Sequence, residues 1–228
     1  MLLLGSGCEE KTPPAAIDAA PVTSATTSAS AAPEAPRPPV VTIDDAAFEV
    51  AGDKVNFGGD AKGRIVGLLA SKPLVAGQTL EVDALRDTTM AHFSIAVDAL
   101  REAKVKDATV KTAKRDRTVG TLHVVFEHAP APACAPVAMV AKDNAILVWP
   151  RSGAVAQRYT HGFAGPDITL GSAELIKETN ACGGSIDYVA GDDSIKWGVV
   201  FDLATAGNAT STIVVTKPPV PGRKVTED

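Results

Sequence analysis

Between Leu80 and Thr112 the hydrophobic period of the chain changes twice. Leu80, Val82 and Ala84 alternate with Glu81 and Asp83, the two-residue period of a half-buried strand. Met90, Phe93, Val97 and Leu100 then recur at helical spacing, and Asp98, Arg101, Glu102 and Lys104 lie largely off that stripe. Thr88 or Thr89 stands where a hydroxyl can accept from the free amides of a first helical turn. Ala108, Val110 and Thr112 restore the alternation. The spacing predicts strand, helix, strand, with the two strands parallel and joined by a right-handed crossover.

The same patterns extend in both directions. Residues 41–57 predict a hairpin: Val41, Ile43, Phe48 and Val50 lead to a turn at Gly52-Asp53, and Val55 and Phe57 return. Residues 60–71 predict a helix with Ile65, Leu68 and Leu69 inward and Pro73 after its end. The first unit therefore reads β-β-α-β-α-β over about 41–112. A charged break at 113–120 precedes a strand at Thr121–His128 and a stiff Ala/Pro connector. From Val137 a second hairpin turns at Asp143-Asn144, and a loop covers Arg158–Gly165. A helix follows over Pro166–Asn180 with Leu175 and Ile176 inward. Then come a strand at Ser185–Val189, a helix at Ile195–Ala206 and a strand at Thr212–Thr216. Gly198 interrupts this last helix and Gly207 caps it.

The two halves align without a gap at an offset of 104, from Asp98 to Asp202. Phe93 then meets Trp197, Val97 meets Phe201, Val110 meets Val214 and Thr112 meets Thr216. Identities are few and the apolar pattern carries the match. The halves read either as a duplicated unit or as two α/β units sharing a pattern by chance.

Before the ordered region the composition shifts. Residues 11–40 are rich in Ala, Pro, Ser and Thr with few large apolar groups, and such a segment cannot form a core. Residues 9–40 thus read as a disordered tether, with a reach of roughly 90 Å if extended, or as a tail without a role. Ahead of them, MLLLGSGCEE places a short apolar run and small residues before Cys8. This resembles the lipobox of bacterial lipoproteins, in which the cysteine receives a fatty acyl group such as palmitate and becomes the first mature residue. The apolar run is shorter than the roughly 7–15 residues of a signal h-region. Either the start codon is placed too late or Cys8 is incidental. No apolar run is long enough for a transmembrane helix.

A chain of 228 residues with 45% hydrophobic content can bury a core. A net charge of −5 and few aromatics argue against a nucleic-acid partner. With Cys8 set apart, Cys134 and Cys182 remain as a pair that an oxidising compartment would bridge; free thiols are the alternative. Closing a loop of that size contributes about 4 kcal/mol on the chain-entropy account.

Candidate chemistry is sparse. His92, His123, His128 and His161 lack the spacing of a zinc site, even with Glu127 between two of them. Asp192 and Asp193 read as turn and cap residues rather than an acid–base pair. Asp83 and Asp87 beside Arg86 read as a solvated ion pair, and Trp197 as core. No nucleophile elbow, phosphate loop or metalloprotease motif is present. The expectation is a non-enzyme with no catalytic residues, metal or cofactor.

Three segments carry a family resemblance: DAAFEVAGDKV, DAKGRIVGLLASKP and the stretch from Leu80 to Thr112. Together they resemble the periplasmic domain of the ExbD/TolR family of biopolymer transport proteins, over about 41–112 and more weakly over 137–217. The resemblance implies a small layered α/β domain that binds proteins or peptides, often as a dimer. Family members sit beside an ExbB/TolQ-like channel and couple the proton gradient to a TonB- or TolA-like protein or to the cell wall. The family's transmembrane helix, with its proton-coupling aspartate, has no counterpart in this sequence.

The resulting expectation is an α+β chain in five parts. These are a lipobox remnant at 1–8, a tether at 9–40, a first ExbD/TolR-like domain at 41–117, a second at 118–217, and a tail at 218–228. It would be a lipid-anchored envelope protein on the periplasmic side of a membrane, the outer membrane being slightly favoured because Glu9 follows Cys8. Its partners would be envelope proteins, such as an ExbB/TolQ-like channel or a TonB/TolA-like protein, or peptidoglycan, with a homodimer also possible. The alternatives are an accessory part of a proton-driven transport complex, or an unrecognised enzyme.

Overall fold

The structure, a computed structural model, describes residues 38–72, 75–126, 131–160 and 166–226. Cys8, His128, His161 and the expected lipobox lie outside these residues, as does the tether except for 38–40. Contacts divide the chain after Pro36, and the account below concerns the unit from Arg37 onward.

The first expected hairpin is a three-strand meander: β1 (Val41–Ile43), β2 (Ala47–Val50) and β3 (Asp53–Asn56). Two local devices make it. The Asp44 carboxylate accepts from the amides of Ala46 and Ala47, both at 2.6 Å, and so cuts the first arm. Ala51 and Gly52 both have positive φ, which gives the tight two-residue connection that antiparallel strands favour. Helix α1 (Ala61–Ala70) starts at Asp60, whose carboxylate accepts from the Gly63 amide, and buries Ile65 and Leu69. Leu68, expected inward, is only half-buried.

The segment that sets the pattern folds as β4 (Thr79–Ala84), α2 (Met90–Glu102) and β5 (Asp107–Ala113). The strands are parallel, and Met90, Phe93, Val97 and Leu100 are all buried. Strand β6 (Val119–Val125) begins and ends earlier than expected and closes a seven-pair antiparallel hairpin on β5.

The second half repeats the order of elements. It comprises β7 (Pro136–Val140), β8 (Ile146–Pro150), β9 (Gln157–Tyr159), α3 (Ile168–Ala181), β10 (Ile186–Gly191), α4 (Trp197–Ala206) and β11 (Ser211–Val214). Strand β9 corrects the loop expected at Arg158–Gly165. Three polar residues carry no hydrophobic period, but their backbone pairs along β8. Helix α4 is continuous through Gly198. A Cβ there would lie 2.0 Å from the Arg86 Cγ, so the glycine permits close approach of the first half rather than a break. Gly207 ends the helix with φ −66, without the left-handed cap that was expected.

All strands join one sheet in the order β3-β2-β1-β4-β5-β6-β11-β10-β7-β8-β9. The fold is α+β, with a mixed sheet. Each half runs β-β-β-α-β-α-β, and in each the strand order from the edge inward is the same; β6 lies between them. The expected boundary at 117/118 falls in the β5–β6 turn. Ile65, Phe93, Leu175 and Phe201, one from each helix, belong to one core cluster on one face of the sheet.

Where the halves meet, the helix starts face each other. Thr89 and Lys196 form an antiparallel bridge. The Met90 amide donates to the Ile195 carbonyl and the Trp197 amide to the Thr88 carbonyl, both at 2.7 Å. The Ala91 amide donates to Asp193 and the Gly198 amide to Arg86. The hydroxyl cap expected from Thr88 or Thr89 is therefore replaced: free first-turn amides are satisfied by carbonyls of the opposite half. Side chains reinforce the joint. The Arg86 guanidinium forks onto both Asp202 oxygens, at 2.9 and 2.5 Å, instead of pairing with Asp83 or Asp87. Trp197 stacks on Phe93 with ring centroids 3.7 Å apart, and its indole donates to the Thr112 hydroxyl.

Candidate functional site

The other face of the sheet differs between the halves. On the second half it carries Met139, Leu147, Trp149, Tyr188 and Ile213, a second apolar cluster. Two segments cover it. The connector 131–135 packs Ala131 and Ala135 there and is tied to the end of α3 by the Cys134–Cys182 disulfide, with Cα atoms 5.5 Å apart. The other cover is the segment 217–226, which from Pro218 onward was expected only as a tail.

That segment is a strap fixed at defined points. The Arg223 amide donates to the Val220 carbonyl and Gly222 has φ +76, so Val220–Arg223 is a turn with proline and glycine at its centre. The Trp149 indole donates to the Arg223 carbonyl at 2.9 Å. The Val225 amide donates to the Arg151 carbonyl at 3.0 Å, and the Val225 side chain is buried. The Arg151 guanidinium lies over the Tyr188 ring, 5.7 Å from its centroid.

Beside the strap lies a cleft of about 750 Å³, within the size range of small-ligand sites. One wall is the start of α1 and the last turns of α2. There Lys62 pairs with Glu102 at 2.8 Å and Arg101 with Asp98 at 3.3 Å. Arg101 also donates to the Val214 carbonyl, which fixes its guanidinium against β11. The Glu102 hydrogen bond holds Lys62 above the usual lysine range. The opposite wall is the strap, which presents Lys217, Arg223 and Lys224, all exposed. The cleft thus has two internally neutralised ion pairs on one side and three further cations on the other.

The histidines within the described residues do not converge. His92 hydrogen-bonds Asp45 and stacks on Phe57. Asp45 also accepts from the Thr89 amide, and this contact holds its carboxyl below the usual range. His123 lies on the outer sheet face with Ser211 Oγ 3.3 Å from Nδ1 and Asp107 Oδ1 3.6 Å from Nε2. The three side chains sit side by side on β5, β6 and β11, with a hydrogen bond between His123 and Ser211 only; Asp107 Oδ1 accepts none. Among the described residues no three His, Cys, Asp or Glu side chains are grouped to hold a metal ion. Nor is any described helix long and apolar enough to cross a membrane. Asp192 caps its own turn through the Ser194 amide and hydroxyl.

Among the described carboxylates Asp187 is fully buried. Asp187 on β10 occupies the inner face; Thr212 donates to its Oδ1 at 2.7 Å, while Oδ2 has no hydrogen-bond partner. Burial pushes its carboxyl up to about 7 against the Thr212 hydrogen bond.

Sequence reasoning missed the strap cations and the grouping of Asp107, His123 and Ser211. The signal for the strap was Pro221-Gly222, a turn pair that can fold a tail back. No sequence signal joins residues 107, 123 and 211, which register alone assembles. Compared with known protein families, characterised proteins and solved structures, the chain matches none of them.

Proposed function

We propose that the chain is a bacterial envelope lipoprotein anchored through Cys8. Its folded region acts as a protein- or cell-wall-binding module on the periplasmic side of a membrane. The observation that carries the binding role is the cleft between α1, α2 and the strap. It is open, of ligand size, and walled by charged side chains on fixed backbone.

The finer fold proposal is that the halves are two copies of one ExbD/TolR-like unit. Their identical succession of elements supports it, and so does the spacing. From Thr79 to Ile186 and from Met90 to Trp197 the offset is 107, whereas from Glu102 to Ala206 and from Asp107 to Ser211 it is 104. Helix α2 is three residues longer than α4, close to one turn, so the two offsets describe one repeat with a turn lost. Helices on one face of each five-strand half of the sheet support the layered unit that the resemblance implies.

Two measurements test the proposal. Growth with a labelled fatty acid should mark the wild-type protein and not Cys8→Ala; equal labelling removes the anchor. A photo-crosslinking residue at Val220, which is 65% exposed on the cleft rim, should capture an envelope component. The same residue at Leu85, 54% exposed elsewhere, should not. Identical adducts at both positions would remove the cleft as the binding surface.

A further inference from the structure

The charge layout of the cleft points to a particular ligand chemistry. The chain as a whole carries −5, yet this concavity has a local excess of cations. Asp98 and Glu102 are already engaged by Arg101 and Lys62 on their own wall. Lys217, Arg223 and Lys224 face the same space from the strap. Among the described residues none of the three stands in an ion pair with a carboxylate. Cations gathered along a concave wall attract anionic groups more strongly than the same charges on a flat surface.

Their spacing selects among anions. Lys217 stands before Pro218-Pro219 and Arg223-Lys224 follow the Pro221-Gly222 turn, so the charges are distributed along the strap. The turn is fixed by its own hydrogen bond and by Trp149, so the spacing is built into the fold. A single small anion would meet one end of this row. A chain with carboxylates at intervals would meet both. The cleft is also concave, whereas a membrane surface is broad and flat. Phe126, Ile213, Val214 and Val215 also line it, which suits small apolar side chains between the acidic ones.

We propose that the cleft binds an extended acidic peptide segment of an envelope partner, its carboxylates meeting Lys217, Arg223 and Lys224. This rests on the binding-module proposal above and specifies the partner's chemistry.

The test uses the purified full chain and a short fluorescent peptide alternating glutamate with alanine and valine, followed by anisotropy. A glutamine version of the peptide and vesicles rich in phosphatidylglycerol serve as the other probes. The acidic peptide should bind, weaken as salt rises, and lose affinity at least about tenfold in the triple variant Lys217→Gln, Arg223→Gln, Lys224→Gln. Lys217→Gln alone leaves the turn and the Trp149 contact untouched and should cost about threefold; it stands in if the triple variant fails to fold. Equal binding of the glutamine peptide, or unchanged affinity in Lys217→Gln and the triple variant, would overturn the inference. Binding to vesicles without binding to peptide would overturn it in favour of a lipid surface. In either case fatty-acid labelling at Cys8 and selective crosslinking at Val220 would still stand, so loss of the acidic ligand is separable from loss of the binding role.

Discussion

The two halves share a topology and differ in what covers the sheet. On the first half, Glu81, Asp83, Thr109 and Lys111 occupy the outer face, and Lys111 reaches Glu81 at 2.8 Å. On the second, the residues at the matching positions 188, 190 and 213 are Tyr, Ala and Ile. A polar outer face needs no cover and stays in water, as one side of a sheet commonly does. An apolar one must be covered, and here a disulfide-tied connector and a strap do so. The comparison teaches that a few alternating positions, with the topology unchanged, decide whether a half-sheet ends at solvent or acquires another layer. In acquiring it, the second half also acquires the strap that walls the cleft.

The joint between the halves gives the strongest way to break this comparison. Trp197→Ala removes the stack on Phe93 and the indole bond to Thr112, and should cost about 5 kcal/mol. Chemical denaturation should show the loss, with tryptophan emission from Trp149 and backbone circular dichroism separating into two transitions if the halves uncouple. A single unshifted transition would mean that the joint carries little of the stability.

Removing the cover comes next. Replacing Cys134 and Cys182 together by serine opens a loop with a sequence separation of 48 and should cost about 4 kcal/mol. The wild type in reductant should match the variant in a urea titration. If the covered half is stabilised by its extra layer, protease cleavage should then begin near the connector rather than on the first half.

Asp187 sharpens the contrast inside the core, because its matching position in the first half is Leu80, also fully buried. Its carboxyl is raised from 3.8 to about 7, so the folded chain retains a proton that the unfolded chain releases. That contribution is complete below pH 3.8 and is lost as pH rises through 7. Stability should therefore fall between about pH 4 and 7, by an amount on the order of a few kcal/mol, and level off above that. Asp187→Asn, followed by thermal melts across that range, should flatten the fall and be more stable than the wild type at pH 8. The carboxylates held low, such as Asp116, Asp143 and Asp192, titrate below this window and do not mask it.

The smallest effect on stability tests the outer faces themselves. Glu81→Tyr, Asp83→Ala and Thr109→Ile together give the first half the residues of the second without its cover. Stability should change by less than about 1 kcal/mol. Self-association should rise with concentration in analytical ultracentrifugation, because an uncovered apolar patch has been made. If the variant stays monomeric, the polarity of these positions is not what keeps the first face open.

Much of the fold was legible because burial imposes period. The stripe Met90-Phe93-Val97-Leu100 and the alternation in Leu80-Val82-Ala84 mark α2 and β4 directly. Short polar elements were not legible: β9 has no apolar period and is held by backbone pairing with β8 and by Tyr159 against the core. The extra turn between β1 and β2 depends on one carboxylate, Asp44, accepting two amides. An offset of 104 holds for the helix ends and the strands after them, but it sets Phe93 against Trp197, the first residue of α4, where the helix starts are related by 107.

By itself the sequence determined the alternation of strands and helices, the buried stripes, the turns marked by Pro and Gly, and the acidic balance of the chain. These follow from local periodicity and backbone preference, which neighbouring residues express without help. Tertiary structure decided that β6 lies between two like halves and that helix starts satisfy each other's amides across the joint. It also decided that Arg86 meets Asp202, and that residues 217–226 fold back beside Arg101 to wall a cleft. Each of these depends on register and on contacts between distant segments, where a backbone group or a charge is satisfied by whichever partner the packing brings within reach.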